Sequence, residues 1–515
     1  MRRRFSTVLV LALGASGLWL SAWFLTRPRM KILSPLDGTL FPADLRSPEL
    51  AWDDPDPTHK VWRLRFSFQD PKQDLEVFAP EPQWTPGPEA WERIKAASRK
   101  SPASLEVRGL QARDARPGPA ARAGFSTSPD PVGAPILYRA VPNPFPAPPD
   151  FVKVKWMLGS VSSYDPPRTI MKNQSQCLNC HVTSFDGKSF GFEINPRGTG
   201  SDRSNYLVFR DPGRTVVLDR KNLLDWNDYL PASQRQGHEA FGSAISPDGD
   251  TYVTCGKAMQ RVLFDPCADC INYTLLTKGI LLFYSVKNKV IKALPGADDE
   301  RFVQVPSSWS PDGRFIYFHR APITPQYEKL NREPMDPELQ HQQGALGWRE
   351  LDKLYPMKYD VYRIPFNGGR GGTPTPVEGA SRNGRSNANA RVSPDGKWIV
   401  FTQTANGLLL IRPDSELHIV PAAGGKARRL RSNLPGANSA HSWSPNSRWL
   451  VFSHKPSFDT QTDLVLTHID EDGKESPPLV LTHLRDAEGL SANIPEFVAL
   501  KPGQMERIVP RLEGR

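Results

Sequence analysis

The chain has 515 residues, 38% of them hydrophobic and 23% charged; this excludes collagen-like and wholly disordered classes and allows at least one sizeable core. Fifty-one prolines forbid long helices and favour turns and edges, so the expected class is all-β. The net charge of +10 is spread thinly, its densest piece being Lys426-Ala427-Arg428-Arg429, and no recognition helix or stacking motif accompanies it; nucleic acid is not an expected partner.

The first element is an apolar run from Val8 to Leu25, preceded by three arginines at 2–4. Eighteen residues of helix span roughly 27 Å, near the thickness of a bilayer core. The best small-residue cleavage site, Ser21-Ala22, lies inside the run, which favours an uncleaved anchor over residues 1–30 rather than a cleaved signal peptide. Residues 31–150 follow as a proline-rich unit. Within it Val61–Phe68 alternates apolar and polar residues, Pro48–Trp52 ends in a core-type tryptophan, and 90–98 reads as a short helix. Short strands between turns predict an immunoglobulin-like or fibronectin-like β-sandwich, with 111–121 as a loop.

From 151 to 515 the chain repeats itself. Ser243-Ala-Ile-Ser-Pro-Asp-Gly249, Ser307-Ser-Trp-Ser-Pro-Asp-Gly313, Ala390-Arg-Val-Ser-Pro-Asp-Gly396 and His441-Ser-Trp-Ser-Pro-Asn-Ser447 each run into an apolar strand, and Ser184-Phe-Asp-Gly187 is a degenerate copy. Each is a hairpin built on a tight turn. Second hairpins follow, as at Asp360–Gly369 and Leu417–Gly425, and two hairpins make a four-stranded propeller blade. The serines stand at 184, 246, 310, 393 and 444, too far apart for blades without insertions; 321–357 is the largest. A sixth blade would draw on the segment before Cys177, the C-terminal residues, or both.

This repeat resembles the TolB-like β-propellers, over roughly residues 180–500. Longer stretches, among them Gly124–Tyr138, Tyr362–Gly372, Asn438–Asn446 and Asn493–Val498, are similar to a family of exported TolB-like proteins, some with cytochrome c motifs. That resemblance implies architecture and haem attachment, not a settled biochemical role. Ser447 stands where such repeats more often carry glycine.

Cys177-Leu178-Asn179-Cys180-His181 carries the chemistry. Two thiols three residues apart can add to the two vinyl groups of a haem, and the adjacent histidine then lies beneath the iron as proximal ligand. One covalent haem c is therefore expected, on Cys177 and Cys180, with His181 on the metal. A disulfide beside a bystander histidine, or half a zinc site, are the alternatives. Haem attachment by thioethers takes place outside the cytoplasm, which places the bulk of the chain in the periplasm of a bacterium, held to the inner membrane by its single N-terminal span. Cys267-Ala-Asp-Cys270 lacks the histidine, and with Cys255 it forms a cluster in which one disulfide is expected.

The sixth iron ligand is sought among the remaining histidines and the methionines. Met157 and Met171 lie near the motif, and His238 and His441 precede repeat cores. His59, His319, His341, His418, His454, His468 and His483 read as surface or strand histidines. Equal offsets from the turn put His181 and His441 on the same side of innermost strands, so His441 is the first candidate distal ligand, then His238, then Met171. Ser-x-x-Lys, Gly-x-Ser-x-Gly and His-Glu-x-x-His motifs are absent, and no catalytic residue is assigned. The expected function is a membrane-anchored monohaem c-type cytochrome exchanging electrons with redox protein partners or a membrane-bound complex. A TolB-like interaction scaffold with structural or sensory haem, and a peroxidase- or oxidase-type haem enzyme with an open iron position, are the alternatives.

Overall fold

The computed structural model describes residues 29–113, 118–143, 153–172, 177–195, 204–235, 237–263, 273–332, 348–407, 412–457 and 459–511. These form two compact units, the first of 29–38 and 49–126 and the second of 39–48 and 127–511. Both are built mainly of strands.

In the first unit, Lys31–Ser34, Leu50–Asp53 and Gln83–Trp84 make one antiparallel sheet. A second runs in the order Ala120–Thr127, Ala103–Leu110, Val61–Ser67, Leu75–Ala79. The alternation in Val61–Ser67 buries Trp62, Leu64 and Phe66 on one face, as a period of two requires. Phe66 meets Trp84 of the other sheet at 5.7 Å between ring centroids, and Trp52 meets Trp62 at 6.2 Å. The expected helix is present as Pro88–Ser98; Pro88 fits its first turn, and Trp91 and Ile94 are buried.

The second unit is a β-propeller of six four-stranded antiparallel sheets among the described residues. The inner strands of blades one to six are Cys177–Thr183, Glu239–Ile245, Phe302–Trp309, Ser386–Val392, Ala437–Trp443 and Ser491–Phe497. Blades two and three are also joined by one parallel bridge, Gly279 to Val303. Blade six is completed by Ile136–Val141, Lys155–Gly159 and Arg168–Lys172, so its inner strand comes from the end of the chain and its outer three from the beginning. A parallel pairing of Thr215–Leu218 with Arg507–Pro510 adds to that closure. The boundary expected at 150 falls inside this unit, because Ile136–Val141 pairs with the C-terminal inner strand.

Successive blades pack face to face through apolar clusters. Val182, Tyr206, Tyr252 and Leu282 join blades one and two, and Val400, Ile419, Leu450 and Phe452 join four and five. Leu137, Trp156, Met171, Phe190 and Phe192 join six and one.

Each repeated turn has the same wiring. The serine hydroxyl donates to the carboxylate or amide two residues on, at 2.5–2.6 Å for Ser184, Ser246, Ser310, Ser393 and Ser444. It also accepts from the backbone N–H five residues on, at 2.9–3.0 Å. The fourth residue of each turn has positive φ, which glycine adopts without steric cost: 66° at Gly187, 74° at Gly249, 68° at Gly313 and 73° at Gly396. Ser447 holds the position at 62°, and its hydroxyl accepts from the Asp395 N–H of the neighbouring turn at 2.9 Å. That bond offsets the backbone cost of the missing glycine.

The long spacing between Ser310 and Ser393 contains Pro325–Arg332 and Trp348–Leu354, two helices not foreseen from the proline-rich sequence. The second is tied to blade four by Arg412, which is fully buried and donates to both oxygens of Asp352 at 2.6 and 2.8 Å and to Asp414 at 2.8 Å. The expectation of one N-terminal membrane span holding the chain to the inner membrane is corrected. No helix among the described residues is long and apolar enough to cross a membrane, and the run 8–25 lies outside those residues.

Candidate functional site

All six inner strands are interrupted by a shift in register. The shifts fall between Leu178 and His181, across Glu239–Ser243, and between Pro306 and Ser308, Ala388 and Arg391, Ser439 and His441, and Asn493 and Glu496. A bulge of this kind leaves residues unpaired and re-aims their side chains. Positive φ at Gly242 (65°), Asn389 (53°) and Ile494 (54°) marks three of them. The bulges meet around a central cavity of about 100 Å³ to which every blade contributes.

Blade one supplies Cys180, His181 and Glu193, blade three Ser307 and His319, blade four Asn389 and Arg391, and blade five His441. His181, His319 and His441 are 4%, 1% and 3% exposed. Burial pushes each imidazole down to about 3, so all three are neutral at ordinary pH. For His181 the nearby Arg139 and Arg391 guanidinium groups act in the same direction, against backbone groups of Leu137 and Ile494. Neither ring nitrogen of His181 has a partner at hydrogen-bond geometry.

The other two histidines are each held by one nitrogen. His441 Nε2 donates to the Val400 carbonyl at 3.0 Å, and its Nδ1 is buried without a partner. His319 Nδ1 bonds the Ser307 hydroxyl at 3.0 Å, its ring meets Tyr359 edge-on at 5.2 Å, and its Nε2 is buried without a partner.

Two buried carboxylates complete the lining and its surround. Glu193 accepts from the Tyr206 hydroxyl and from the Gly242 N–H, linking blades one and two. Burial raises its carboxyl, opposed by those hydrogen bonds. Glu496 pairs with Arg391 at 3.1 Å, and burial still pushes it up to about 7.

The structure therefore brings His181 and His441 to one cavity from the first strands of blades one and five. His319, read as a surface or strand histidine, is a third member. It lies on the second strand of blade three, opposite Val305, where the inner strand carries only the small Ser307 beside it. Met171 is packed against Trp156 and Phe192 in the core between blades six and one. Met157 is buried and accepts from the Thr169 hydroxyl at 3.3 Å. Neither methionine lines the cavity, and nor does His238. Cys255 is a free, fully buried thiol packed with apolar neighbours, and burial raises its pKa. Cys267, Cys270 and His341 lie outside the described residues, as do the side chains of 177–179.

His181 tests the cavity as a haem site. A neutral, buried imidazole with both nitrogens unpartnered, next to a cavity-lining cysteine in Cys-x-x-Cys-His spacing, is the donor set that haem c requires. The clear volume, about 100 Å³, is below the roughly 300–1,000 Å³ of ordinary ligand pockets, so the cavity as it stands is too small for a macrocycle. No cluster of three or more metal-ligating side chains is preformed among the described residues.

Fold and site thus define a β-propeller with a histidine-lined central cavity. No known family profile matches the chain. A Caenorhabditis elegans protein assigned as an arginine kinase is 27% identical over 145 residues, 25% of this chain. The chain spans 40% of that relative's length. Among solved structures, the one assigned as TolB from Agrobacterium tumefaciens matches 71% of this chain and 99% of its own, at 13% identity and a TM-score of 0.36. Prolyl oligopeptidase B from Galerina marginata matches 85% of this chain and 60% of its own, at 12% identity and 0.35. The β-propeller domain of the trilobed protease from Pyrococcus furiosus, of open velcro topology, matches 59% and 70%, at 11% and 0.29. These likenesses are with propeller proteins; the architecture of this chain rests on its own six sheets.

Proposed function

We propose that this chain is a monohaem c-type cytochrome in which a six-bladed TolB-like propeller carries the haem and presents a docking face to a redox protein partner. The first unit is a fibronectin-like sandwich appended to it. One observation supports the reading above the rest: the Cys-x-x-Cys-His segment forms the inner strand of blade one, and His181 enters the central cavity with both ring nitrogens unpartnered.

When bound, the haem supplies a one-electron couple whose potential depends on its ligands and the polarity around it. Cys177 and Cys180 would hold it by thioethers and His181 would ligate the iron. Burial keeps His181 neutral, the state in which an imidazole donates its lone pair. Glu193, fixed by Tyr206 and Gly242, and Arg391, paired with Glu496, contribute to the local field together with Arg139. Aromatic rings cluster beside it on the same face of the sheet, with Phe192, its cross-strand partner, 6.1 Å from His181 and Trp156 6.1 Å from Phe192. They exclude water from the histidine.

The test is covalent attachment. Protein matured with a haem-attachment system and run on a denaturing gel should stain for haem. Cys177→Ser or Cys180→Ser should leave at most one thioether, and the double variant none. A stained band in the double variant, or none in the parent chain, overturns the reading.

A further inference from the structure

The part of the cavity wall built by blades three, four and five carries polar groups that no described residue satisfies. His441 is neutral, and its Nε2 carries the hydrogen, because the Val400 carbonyl it bonds can only accept. Its buried Nδ1 is therefore a bare lone pair in need of a donor. His319 is neutral as well and bonds the Ser307 hydroxyl through Nδ1. The Ser307 hydrogen has no other acceptor among the described residues, so it points at Nδ1. The ring hydrogen of His319 then sits on Nε2, a buried donor without a partner.

Arg391 adds charge to the same wall. Its ion pair with Glu496 is single, Nη1 to Oε1 at 3.1 Å with the other carboxylate oxygen unpartnered. A guanidinium offers more N–H groups than one oxygen can take, so donors are left over. Glu193, the one carboxylate among the described lining residues, is turned to Tyr206 and Gly242 of blades one and two, and burial raises it toward its neutral form. Size sets the scale of the occupant: a dry cavity of roughly 150 Å³ admits benzene, so one of about 100 Å³ admits about four non-hydrogen atoms.

We propose that blades three, four and five form a binding site for a small oxyanion that keeps a hydrogen of its own, the chemistry of bicarbonate. Its oxygens accept from Arg391 and from His319 Nε2, and its hydroxyl donates to His441 Nδ1. Ser307 is the positioning residue that fixes which nitrogen of His319 carries the hydrogen. The inference goes beyond the haem reading and uses none of the groups assigned there to the iron or the thioethers.

The experiment titrates the full chain, in carbonate-free buffer at fixed pH, with bicarbonate and with nitrate, followed by calorimetry. Nitrate has the same flat shape, size and charge but no hydrogen to donate. One bicarbonate should bind per chain, about tenfold more tightly than nitrate. His441→Gln keeps a donor for Val400 and removes the lone pair, so the preference for bicarbonate should disappear. His319→Asn, whose amide reaches only as far as Nδ1, loses the inward donor, and both ions should weaken about tenfold. His319→Gln, whose amide reaches the place of Nε2, should restore them. Equal or tighter binding of nitrate, no bicarbonate binding because water alone fills the cavity, a preference that survives in His441→Gln, or unchanged affinity in His319→Asn each overturns the assignment. Where a variant does not fold, the preference of the parent chain decides.

Discussion

Replacing Glu496 by glutamine should change how stability depends on pH. The carboxyl is 4% exposed, with one oxygen on Arg391 and the other buried without a partner. Burial raises its pKa from 4.5 to about 7 in spite of the guanidinium. The folded state therefore binds a proton more tightly than the unfolded one between these values. Stability is fully present below about 4.5, falls as pH rises, and reaches its lower plateau above about 7. At 1.36 kcal/mol per unit, the shift corresponds to about 3 kcal/mol between the plateaus. Glutamine keeps the shape and cannot ionise, so this component should vanish. Urea denaturation midpoints from pH 4 to 8 for parent and variant give the difference directly, because all other titrating groups are common to both. Parallel stability curves for the two proteins across that range would refute the argument.

The repeated turn predicts that Ser393→Ala lowers stability by about 2 kcal/mol, since it deletes the bond to Asp395 and strands the Trp398 N–H; urea midpoints at constant slope should show it. Arg412→Ala should cost about 3 kcal/mol or more, because it leaves Asp352 and Asp414 facing each other without their cation. Thermal unfolding should register that loss, with Arg412→Lys intermediate because a point charge cannot span both oxygens of Asp352.

Local chemistry made much of this legible. The Ser-Pro-Asp-Gly turns announced themselves because each packs its wiring into six consecutive residues, and the propeller follows from their recurrence. The facing of His181 and His441 followed from strand alternation counted back from the turn. What the sequence hid was non-local. Ile136–Val141 carries no repeat signature, and only its pairing with Ser491–Phe497 reveals it as part of blade six. His319 was hidden because a second-strand position reaches the channel only where its inner neighbour is as small as Ser307. Glu193 and Glu496 look like ordinary strand carboxylates until the partners Tyr206 and Arg391 arrive from elsewhere in the chain.

The joining of blade six from both ends of the chain has a consequence in time. Ribosomal synthesis delivers Ile136–Val141 hundreds of residues before Ser491–Phe497, so the outer three strands of that blade wait with an exposed edge until that strand appears. The waiting edge is a place where a nascent chain can pair wrongly with another copy. Ile494 and Pro495, which line the central cavity, arrive with the closing strand. The cavity is thus walled on its last side only once that strand has been made.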